Sequence, residues 1–288
     1  MKNISWLFYK DYFDGLSFLD KNSEKDADII KIKNSNILSA PLEVIKNSLA
    51  THRIYTTIQY PGLVTGAGIN HEANIKGEYK LGVHFNYTFG MPVIYGSSVK
   101  GLLRSAFPDS EEVTNKEKNE TNKAKRIQLR NAKIKLIDSY LNSKDIGMSN
   151  IDIDALRDQI FEGIDKNEKG EIAPLSIYKR DIFFDAVIVE PHKKKDGSTR
   201  FLESDSITPH IYKELSYERS VLKNPTPLTF LKIASGVKME FRFALKTTII
   251  NGVEIKSEKK KLLFKKILED FGIGAKTNVG YGQFSGVS

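Results

Sequence analysis

Hydrophobic and polar residues alternate along several segments of the chain, and this period of two is typical of strands with one solvent-facing side. The alternation predicts strands at residues 53–60 and 238–243, and extended runs at 83–89 and 279–284. The segment 181–189, which is apolar apart from Asp181 and Asp185, predicts an inner strand. These segments are therefore expected to build a sheet.

Apolar residues spaced by three and four predict helices between these strands. One helix is expected to begin at about Ser97 or Ser98, because serine is a good N-cap. An amphipathic helix near the C-terminus is expected to end at Gly272, and a short helix is predicted after Pro41. Residues 108–174 are polar, rich in Lys and Asn, and carry helical spacing, which predicts a mainly helical insertion.

The predicted order of elements is strand, strand, helix, insertion, strands, helix and strand. Helices that interrupt an antiparallel sheet indicate an α+β fold with a ferredoxin-like (RRM-like) antiparallel sheet core. The open face of such a sheet often binds single-stranded RNA. We expect this domain at residues 51–288, with the insertion at about 108–174 and an N-terminal extension at 1–50.

Composition narrows the class of protein. The 288 residues are 40% hydrophobic and 28% charged, as in a soluble globular protein. No apolar run approaches the roughly 20 residues that span a bilayer, and the polar, acidic start is unlike a signal peptide. Because the chain has no cysteine, disulfides, thiolate metal sites and a cysteine nucleophile are excluded. We expect a cytoplasmic protein that does not contact membranes.

Charge favours a polyanionic partner. Lys and Arg number 44 against 36 Asp and Glu, which gives a net charge of +8. Cations cluster in an acid-free stretch of the insertion, residues 123–135, and at Lys193, Lys194 and Lys195. The insertion could bind RNA, although a solvated lysine-rich face explains the same pattern.

The segment from Gly272 to Phe284 has four glycines around Lys276 and Thr277. Glycine lets the backbone approach a phosphate closely, and successive N–H groups can converge on an anion. A nucleotide-binding Walker loop is not indicated, since Ala275 separates the glycine from the lysine and the loop follows a helix. A tight turn between a helix and an edge strand is the alternative interpretation.

A second candidate anion site lies at the predicted helix start. Ser97 and Ser98 would offer hydroxyl groups and free N–H groups, with Lys100 and Arg104 just inside the helix. An ordinary capped helix explains the same residues. If the helix start and the glycine-rich loop lie side by side, Lys100, Arg104 and Lys276 converge on one stretch of RNA backbone.

The glycine-rich segment resembles the C-terminal signature of the RAMP superfamily of CRISPR proteins. Residues 90–104 and 183–186 resemble a helix start and a strand of the same superfamily. Residues 60–68 and 205–210 resemble, more specifically, the sixth-subunit family of the type III-B Cmr effector complex. Tyr95 departs from the pattern, because proline is usual at that place.

The resemblance implies a non-catalytic, RNA-binding subunit that caps the filament of subunits toward the 3′ part of the guide RNA. Its implied partners are CRISPR guide RNA, target RNA, the backbone subunit and a second capping subunit. Affinity would come from phosphate contacts, while guide–target pairing reads sequence. The residues expected to bind RNA are Ser97, Ser98, Lys100, Arg104, Gly274, Lys276, Thr277, Gly280, Tyr281 and Gly282.

Two other functions stay open at this point. One is a metal-independent endoribonuclease of the same superfamily that cuts CRISPR repeats, and the other is a protein–protein adaptor without RNA contacts. His71 beside Glu72 could act as a general base. However, no aspartate lies between Asp28 and Asp109, so this loop lacks the aspartate of cleaving Cmr backbone subunits. We therefore expect no catalytic residue.

Neither a metal site nor another cofactor is expected. The histidines show no metal-ligand spacing such as H-E-x-x-H. The segment starting at Asp165 is similar to the beginning of a calcium-binding EF-hand loop. Lys169 and Ser176 stand where oxygen ligands belong, so an ordinary turn is the favoured interpretation.

Overall fold

The computed structural model describes residues 3–18, 23–66, 71, 73–80, 82–111, 114, 116, 119–166, 171–208 and 227–288. The α-helices of this part are α1 (Ile4–Tyr9), α2 (Glu24–Leu38), α3 (Gly96–Ala106), α4 (Glu120–Leu141), α5 (Ile153–Arg157) and α6 (Ser257–Phe271). A π-helical turn, Asp158–Glu162, follows α5. Short 3-10 turns lie at Asp11–Phe13, Ile177–Lys179 and Thr277–Val279.

Most strands of the described residues are short. In chain order they are β1 (His52–Ile58), β2 (Val93–Ile94), β3 (Ile164–Lys166), β4 (Ile172–Pro174), β5 (Ile182–Phe183), β6 (Ala186–Glu190), β7 (His192–Lys193), β8 (Thr199–Arg200), β9 (Leu202–Ile207), β10 (Leu228–Ile233), β11 (Lys238–Ala244), β12 (Thr248–Ile250), β13 (Val253–Ile255) and β14 (Phe284–Ser285).

An antiparallel sheet is the centre of the fold, with strand order β14-β1-β11-β6-β2, and β5 also pairs with β11. The expected mixed α and β structure with an antiparallel sheet is confirmed. In β1 the predicted alternation is present, because Ile54, Thr56 and Ile58 are buried. These side chains and the apolar residues of β11 form one face of the sheet, against which α6 packs through Phe264, 5.4 Å from the Phe243 ring.

The first fifty residues pack against the rest of the chain. In α1 and α2, Phe8, Ile30 and Ile37 are buried in the same core as the sheet. The Tyr12 hydroxyl donates to Asn34 (2.6 Å) and accepts from the N–H of residue 79 (3.0 Å). These helices belong to the main hydrophobic core and are not a separate unit.

The insertion supplies α4, α5 and the β3–β4 hairpin, and its Ile137 and Phe161 are buried in the same hydrophobic core as the sheet. Buried ion pairs hold its own elements together. Arg130 is buried, and its guanidinium contacts Asp154 at 2.6 Å. Arg157 binds the same carboxylate and Asp158. Arg130 thus faces inward and is unavailable to RNA, whereas Lys125 on the same helix is exposed.

Three sequence expectations about elements are wrong. Residues 83–89 form only an isolated bridge from Phe85 to Pro92 and then a turn, because Tyr87 points into solvent. No helix follows Pro41, whereas α2 occupies a polar stretch that had no helical prediction. The last strand is limited to β14, since residues 277–279 form a 3-10 turn.

Candidate nucleic-acid interface

The glycine-rich loop, residues 272–282, lies at the end of β1 and packs on residues 62–64. The N–H of Ala275 donates to Val64 O (2.8 Å), and the N–H of Gly282 donates to Gly62 O (2.8 Å). Two segments that the sequence comparison singled out separately are therefore joined by their backbones into one surface, which we call the loop platform.

Several glycines of this loop are needed for the chain's own packing. A Cβ at Gly282 would lie 1.9 Å from Ile273 O, and one at Gly274 would lie 2.5 Å from Val64 O. Gly280 differs, because a Cβ there would meet only Pro61 Cδ at 3.6 Å. Among these three glycines, Gly280 alone leaves open space through which another molecule can approach the backbone.

The outer side of the loop platform carries the groups expected to bind RNA. Lys276 is half-exposed and has a left-handed backbone with φ 62°. No acidic side chain of the described residues forms an ion pair with it. Thr277 is half-exposed next to it, and Tyr60 is 85% exposed at the edge of the platform. The loop platform thus carries a cation without an acidic partner among the described residues, and the exposed Tyr60 ring lies near Tyr281 of the same loop.

Asp205 connects the loop platform to the β9–β10 hairpin. Its Oδ2 accepts from Lys232 Nζ (2.6 Å) and from the Tyr281 hydroxyl (2.8 Å). Burial acts to raise the pKa of Asp205, but the hydrogen bonds from Lys232 and Tyr281 outweigh it and lower the pKa. Burial and the Asp205 carboxylate raise the pKa of Tyr281 to about 12. Tyr281 therefore stays protonated and holds the loop in place.

Lys232 was not identified from the sequence, although the pattern of residues around it indicates a buried ion pair. Lys232 is the one charged residue of β10, a strand that is otherwise apolar apart from Thr229. A lone cation in an apolar strand requires a buried partner, and Asp205 on the paired strand supplies it. The rest of the segment that resembled the sixth-subunit family, residues 209–210, lies outside the described residues.

One backbone N–H group at the start of α3, which was expected from the sequence to be available to an anion, is already hydrogen-bonded within the protein. The helix begins at Gly96, whose N–H donates to Asp185 Oδ1 at 2.9 Å. Ser97 and Ser98 are exposed and Lys100 is half-exposed. A carboxylate from 89 residues away therefore already caps the helix, and no local pattern could have announced it.

Arg104 points toward the insertion. Its Nε donates to Glu162 at 3.1 Å, and its Nη1 donates to Pro108 O at 3.3 Å. An Arg104 side chain held by these two groups contributes to the position of the insertion. It is not presented beside Lys100 as a free cation.

The helix start and the loop platform lie at different ends of the sheet. Gly96 packs on Phe183, which pairs with Phe243 opposite His52, the first residue of β1. The loop platform contacts the chain just after Ile58, the last residue of β1. Six residues of strand separate the two sites by about 20 Å. The expected convergence of Lys100, Arg104 and Lys276 is therefore not found.

The open face of the sheet is not free for RNA. Glu240 binds Arg53 (2.7 Å) and Arg242 (2.5 Å), and these arginines donate to carbonyl groups at Asn47 (2.8 Å) and Ile45 (2.5 Å). Residues 45–47 thus contact this face beside Glu240 and Arg242, which are both buried. The expectation of an open RNA-binding sheet face is wrong for this part of the sheet.

Aromatic side chains are exposed beside the start of α3. Tyr95 stacks on His84 with 4.7 Å between ring centroids, and its hydroxyl donates to Phe85 O at 3.3 Å. Tyr9 lies 6.0 Å from the Phe85 ring. Trp6, one helical turn before Tyr9, is 52% exposed. Sequence reasoning noted these residues only as an aromatic start and a departure from the superfamily pattern.

His71 lies in the core and faces away from solvent. It is 1% exposed and packs between the rings of Phe8 (4.2 Å) and Tyr12 (4.3 Å). Its Nε2 donates to Phe8 O at 2.7 Å. Burial lowers the pKa of His71, so the ring is neutral at pH 7. This environment fits a structural histidine, while Glu72 lies outside the described residues.

Metal-binding and membrane-spanning features are absent from the described part of the chain. Those residues hold no group of three or more His, Asp or Glu side chains able to bind a metal ion. Residues 167–170 of the EF-hand-like segment lie outside that part. None of the helices that the structure describes is long and apolar enough to cross a membrane.

Many chains of solved structures are similar to this protein, among them the following three. The first is a chain of the type III-B Cmr-beta complex bound to cognate target RNA, with 20% identity, 93% of this chain and 77% of that chain covered, and a TM-score of 0.47. The second is Cmr6 from Pyrococcus furiosus, with 22% identity, 81% of this chain and 97% of that chain covered, and a TM-score of 0.38. The third is a chain of a type IV-B CRISPR complex, with 13% identity, 82% of this chain and 90% of that chain covered, and a TM-score of 0.36.

No curated protein matches this sequence. The model of the RAMP superfamily matches residues 57–285, which include the glycine-rich loop, the start of α3 and all the central strands except the first residues of β1. The chain therefore belongs to the RAMP superfamily.

Proposed function

We propose that this protein is a non-catalytic subunit that binds guide RNA in a type III-B CRISPR (Cmr) effector complex, where it caps the filament toward the 3′ part of the guide. The observation that carries the proposal is the loop platform. Its two segments are joined by backbone hydrogen bonds, and Lys276, Thr277 and the open Gly280 form its outer side.

We also infer a ferredoxin-like core. When β1, β6, β11 and β14 are numbered one to four in chain order, their order in the sheet is four, one, three, two. Helix α3 lies between the first two of these strands, and α6 lies between the last two. This β-α-β-β-α-β arrangement is that of a ferredoxin-like fold.

The proposed partners are guide RNA, target RNA, the backbone subunit and a second capping subunit. Phosphate contacts through Lys276 and, at the far end of the sheet, through Lys100 would hold an RNA strand independently of its sequence. Because the two sites are about 20 Å apart, each would contact a different stretch of the strand.

The absence of catalysis is part of the proposal. A metal-independent nuclease needs a general base within reach of the 2′-hydroxyl group. His71 is buried between two aromatic rings and gives no such reach. The other histidines that the structure describes are His52, which contacts Glu258, His84, which stacks on Tyr95, and His192 beside Gly236.

RNA binding is tested by fluorescence anisotropy of labelled single-stranded guide RNA across a salt series. Lys276→Ala should weaken binding and lower the slope of log K against log salt by about 0.7 to 1 unit. Lys246→Ala, which removes an exposed lysine near the His52 end of the sheet, is the matched control. A folded Lys276→Ala variant with unchanged affinity and slope would remove Lys276 from the interface.

Catalysis is tested separately. The purified chain is incubated with CRISPR-repeat RNA in EDTA, and the products are separated on a sequencing gel. We expect intact RNA. A cut at a defined position would contradict the proposal and favour the endoribonuclease, whereas no RNA binding at any salt concentration would favour the adaptor.

A further inference from the structure

A large groove lies between α2 and the β8–β9 region, next to the loop platform. Its volume is ≈ 1560 Å³, above the roughly 300–1,000 Å³ of small-molecule pockets. One wall is the polar side of α2, which precedes the part of the chain that matches the RAMP superfamily. The groove is therefore a feature of this chain's N-terminal residues together with the superfamily domain.

Hydrogen-bonding groups line this groove above an apolar floor. Ile30, Tyr79 and Leu202 form the floor and are each at most 2% exposed. Serine, threonine and asparagine side chains of α2 and of the β7–β9 segment form much of the walls. Such a surface suits an extended, hydrated ligand better than an apolar one.

Five cations line the groove, and two of them, Arg200 and Lys232, have acidic partners that also line it. Glu203 contacts Arg200, and Asp205 contacts Lys232 at 2.6 Å, so each of these acids is already neutralised. Arg200 still has a buried Nε without an acceptor among the described residues. A buried donor of this kind calls for an acceptor from a ligand, such as a phosphate or base oxygen.

Of the remaining cations, Lys31 lies on α2 and Lys76 lies beside it. The acids of α2 that line the groove, Glu24 and Asp28, lie in the first turns of the helix. Lys31 follows them, and Asn34 donates to Gly77 O at 2.9 Å, which brings Lys76 against the second half of α2. The groove beside the second half of α2 is therefore positive.

The groove is continuous with the loop platform. Asp205 and Lys232 line it, and the Asp205 carboxylate also accepts the hydrogen bond from Tyr281 of the glycine-rich loop. Tyr60, with 85% of its surface exposed, lines the groove and borders the platform. An exposed aromatic ring beside a positive groove is a combination that binds single-stranded nucleic acid through stacking and phosphate contacts.

We propose that this groove holds a single-stranded stretch of RNA that continues from the loop platform past Tyr60 and along α2. The inference rests on the proposed function and extends it, because it assigns an RNA contact to the N-terminal helix. In this path Lys31 and Lys76 bind phosphates, Tyr60 stacks on a base, and Arg200 Nε donates to the strand.

The test uses the full chain and an unstructured polyuridine RNA of about 20 nucleotides. Lys31→Ala/Lys76→Ala should weaken binding about tenfold and lower the salt slope by about 1.4 units, since each phosphate contact on a single strand contributes about 0.7. Lys246→Ala/Lys256→Ala removes two exposed lysines outside the groove and should change neither. Thermal melting of every variant shows whether it is folded.

A second measurement locates the strand directly. RNA with photoreactive 4-thiouridine should cross-link to Tyr60 and to peptides of residues 23–39. If the groove variant binds normally and those peptides stay unlabelled while Lys276→Ala still weakens binding, the groove inference fails and the proposed function stands. If the wild-type chain binds no RNA at all, the proposed function fails and the groove inference fails with it.

Discussion

Two glycines of the glycine-rich loop should respond very differently to the same substitution. Both have left-handed backbones, with φ 68° at Gly282 and 93° at Gly280. An alanine Cβ at Gly282 would lie 1.9 Å from Ile273 O, whereas at Gly280 it would meet only Pro61 Cδ at 3.6 Å. Gly280→Ala therefore adds backbone strain alone, and Gly282→Ala must also separate two backbone segments.

The magnitudes follow from these contacts. A left-handed alanine costs about 1–2 kcal/mol, less the roughly 0.4–1 kcal/mol gained from a stiffer unfolded chain, so Gly280→Ala should destabilise by about 1 kcal/mol. Separating the segments at Gly282 also breaks the hydrogen bonds from Ile273 N to Gly282 O (2.9 Å) and from Gly282 N to Gly62 O (2.8 Å). At about 1 kcal/mol each, these raise the expected loss for Gly282→Ala to about 3 kcal/mol.

Thermal melting distinguishes the two values. For a chain of this size 1 kcal/mol moves the Tm by about 2–4 °C, so Gly282→Ala should melt about 6–12 °C below the wild type and Gly280→Ala about 2–4 °C below it. Gly252→Ala is the control, since Gly252 has φ 79° and no atom within 4 Å of its Cβ position. Equal melting of the Gly280 and Gly282 variants would refute the packing argument.

The same pair of glycines separates stability from RNA binding. Gly280→Leu places a side chain where a phosphate is expected to approach, so it should weaken RNA binding more than Lys276→Ala does while the protein stays folded. An affinity within twofold of the wild type would show that the backbone at Gly280 is not part of the interface.

Three further predictions concern the core and the helix start. Asp181 and Lys260 form an ion pair at 2.7 Å, and each side chain is 1% exposed. Asp181→Ala should destabilise the protein by about 3–5 kcal/mol, because Lys260 would stay buried without its carboxylate. In urea unfolding Asp181→Ala/Lys260→Met should recover most of this loss, and a double variant as unstable as the single one would contradict the reasoning. Burial lowers the pKa of His71, so as the pH falls the unfolded chain takes up this proton before the folded chain does. Acidification from about pH 7.5 to 5.5 should therefore reduce the free energy of unfolding more in the wild type than in His71→Phe, and parallel pH curves would exclude the effect. Trp6 is the chain's one tryptophan and is 52% exposed, so RNA bound at the start of α3 should quench its fluorescence, and an unchanged spectrum at saturating RNA would place the strand elsewhere.

Local sequence patterns correctly predicted those elements in which the spacing of apolar residues alone decides which side is buried. β1 and α6 are of this kind, and Gly272 ends α6 as predicted. The alternation in β11 was also correct, yet Glu240 and Arg242 are buried as well. Residues 45–47 contact the sheet beside them, and a segment so distant in the chain leaves no trace in the local pattern.

The candidate site shows the same division. Lys276 and its neighbours became candidates because glycine and lysine at these positions indicate an anion-binding loop, and their contact with RNA stays a prediction. The pairing of Arg104 with Glu162 and the capping of Gly96 by Asp185 depend on residues 58 and 89 positions away. Sequence spacing therefore identified the residue types of a site, but not which of their hydrogen-bonding groups were already occupied.

The pairing of β1 with β11 also sets the order of events during synthesis on the ribosome. Tyr55 and Glu240 are neighbours in the sheet but lie 185 residues apart in the chain. At about 5–20 residues per second, β1 emerges about 10–40 s before its partner strand exists. During that interval the apolar side of β1 and its unpaired backbone groups lack their partner strand, which makes this part of the nascent chain prone to aggregation.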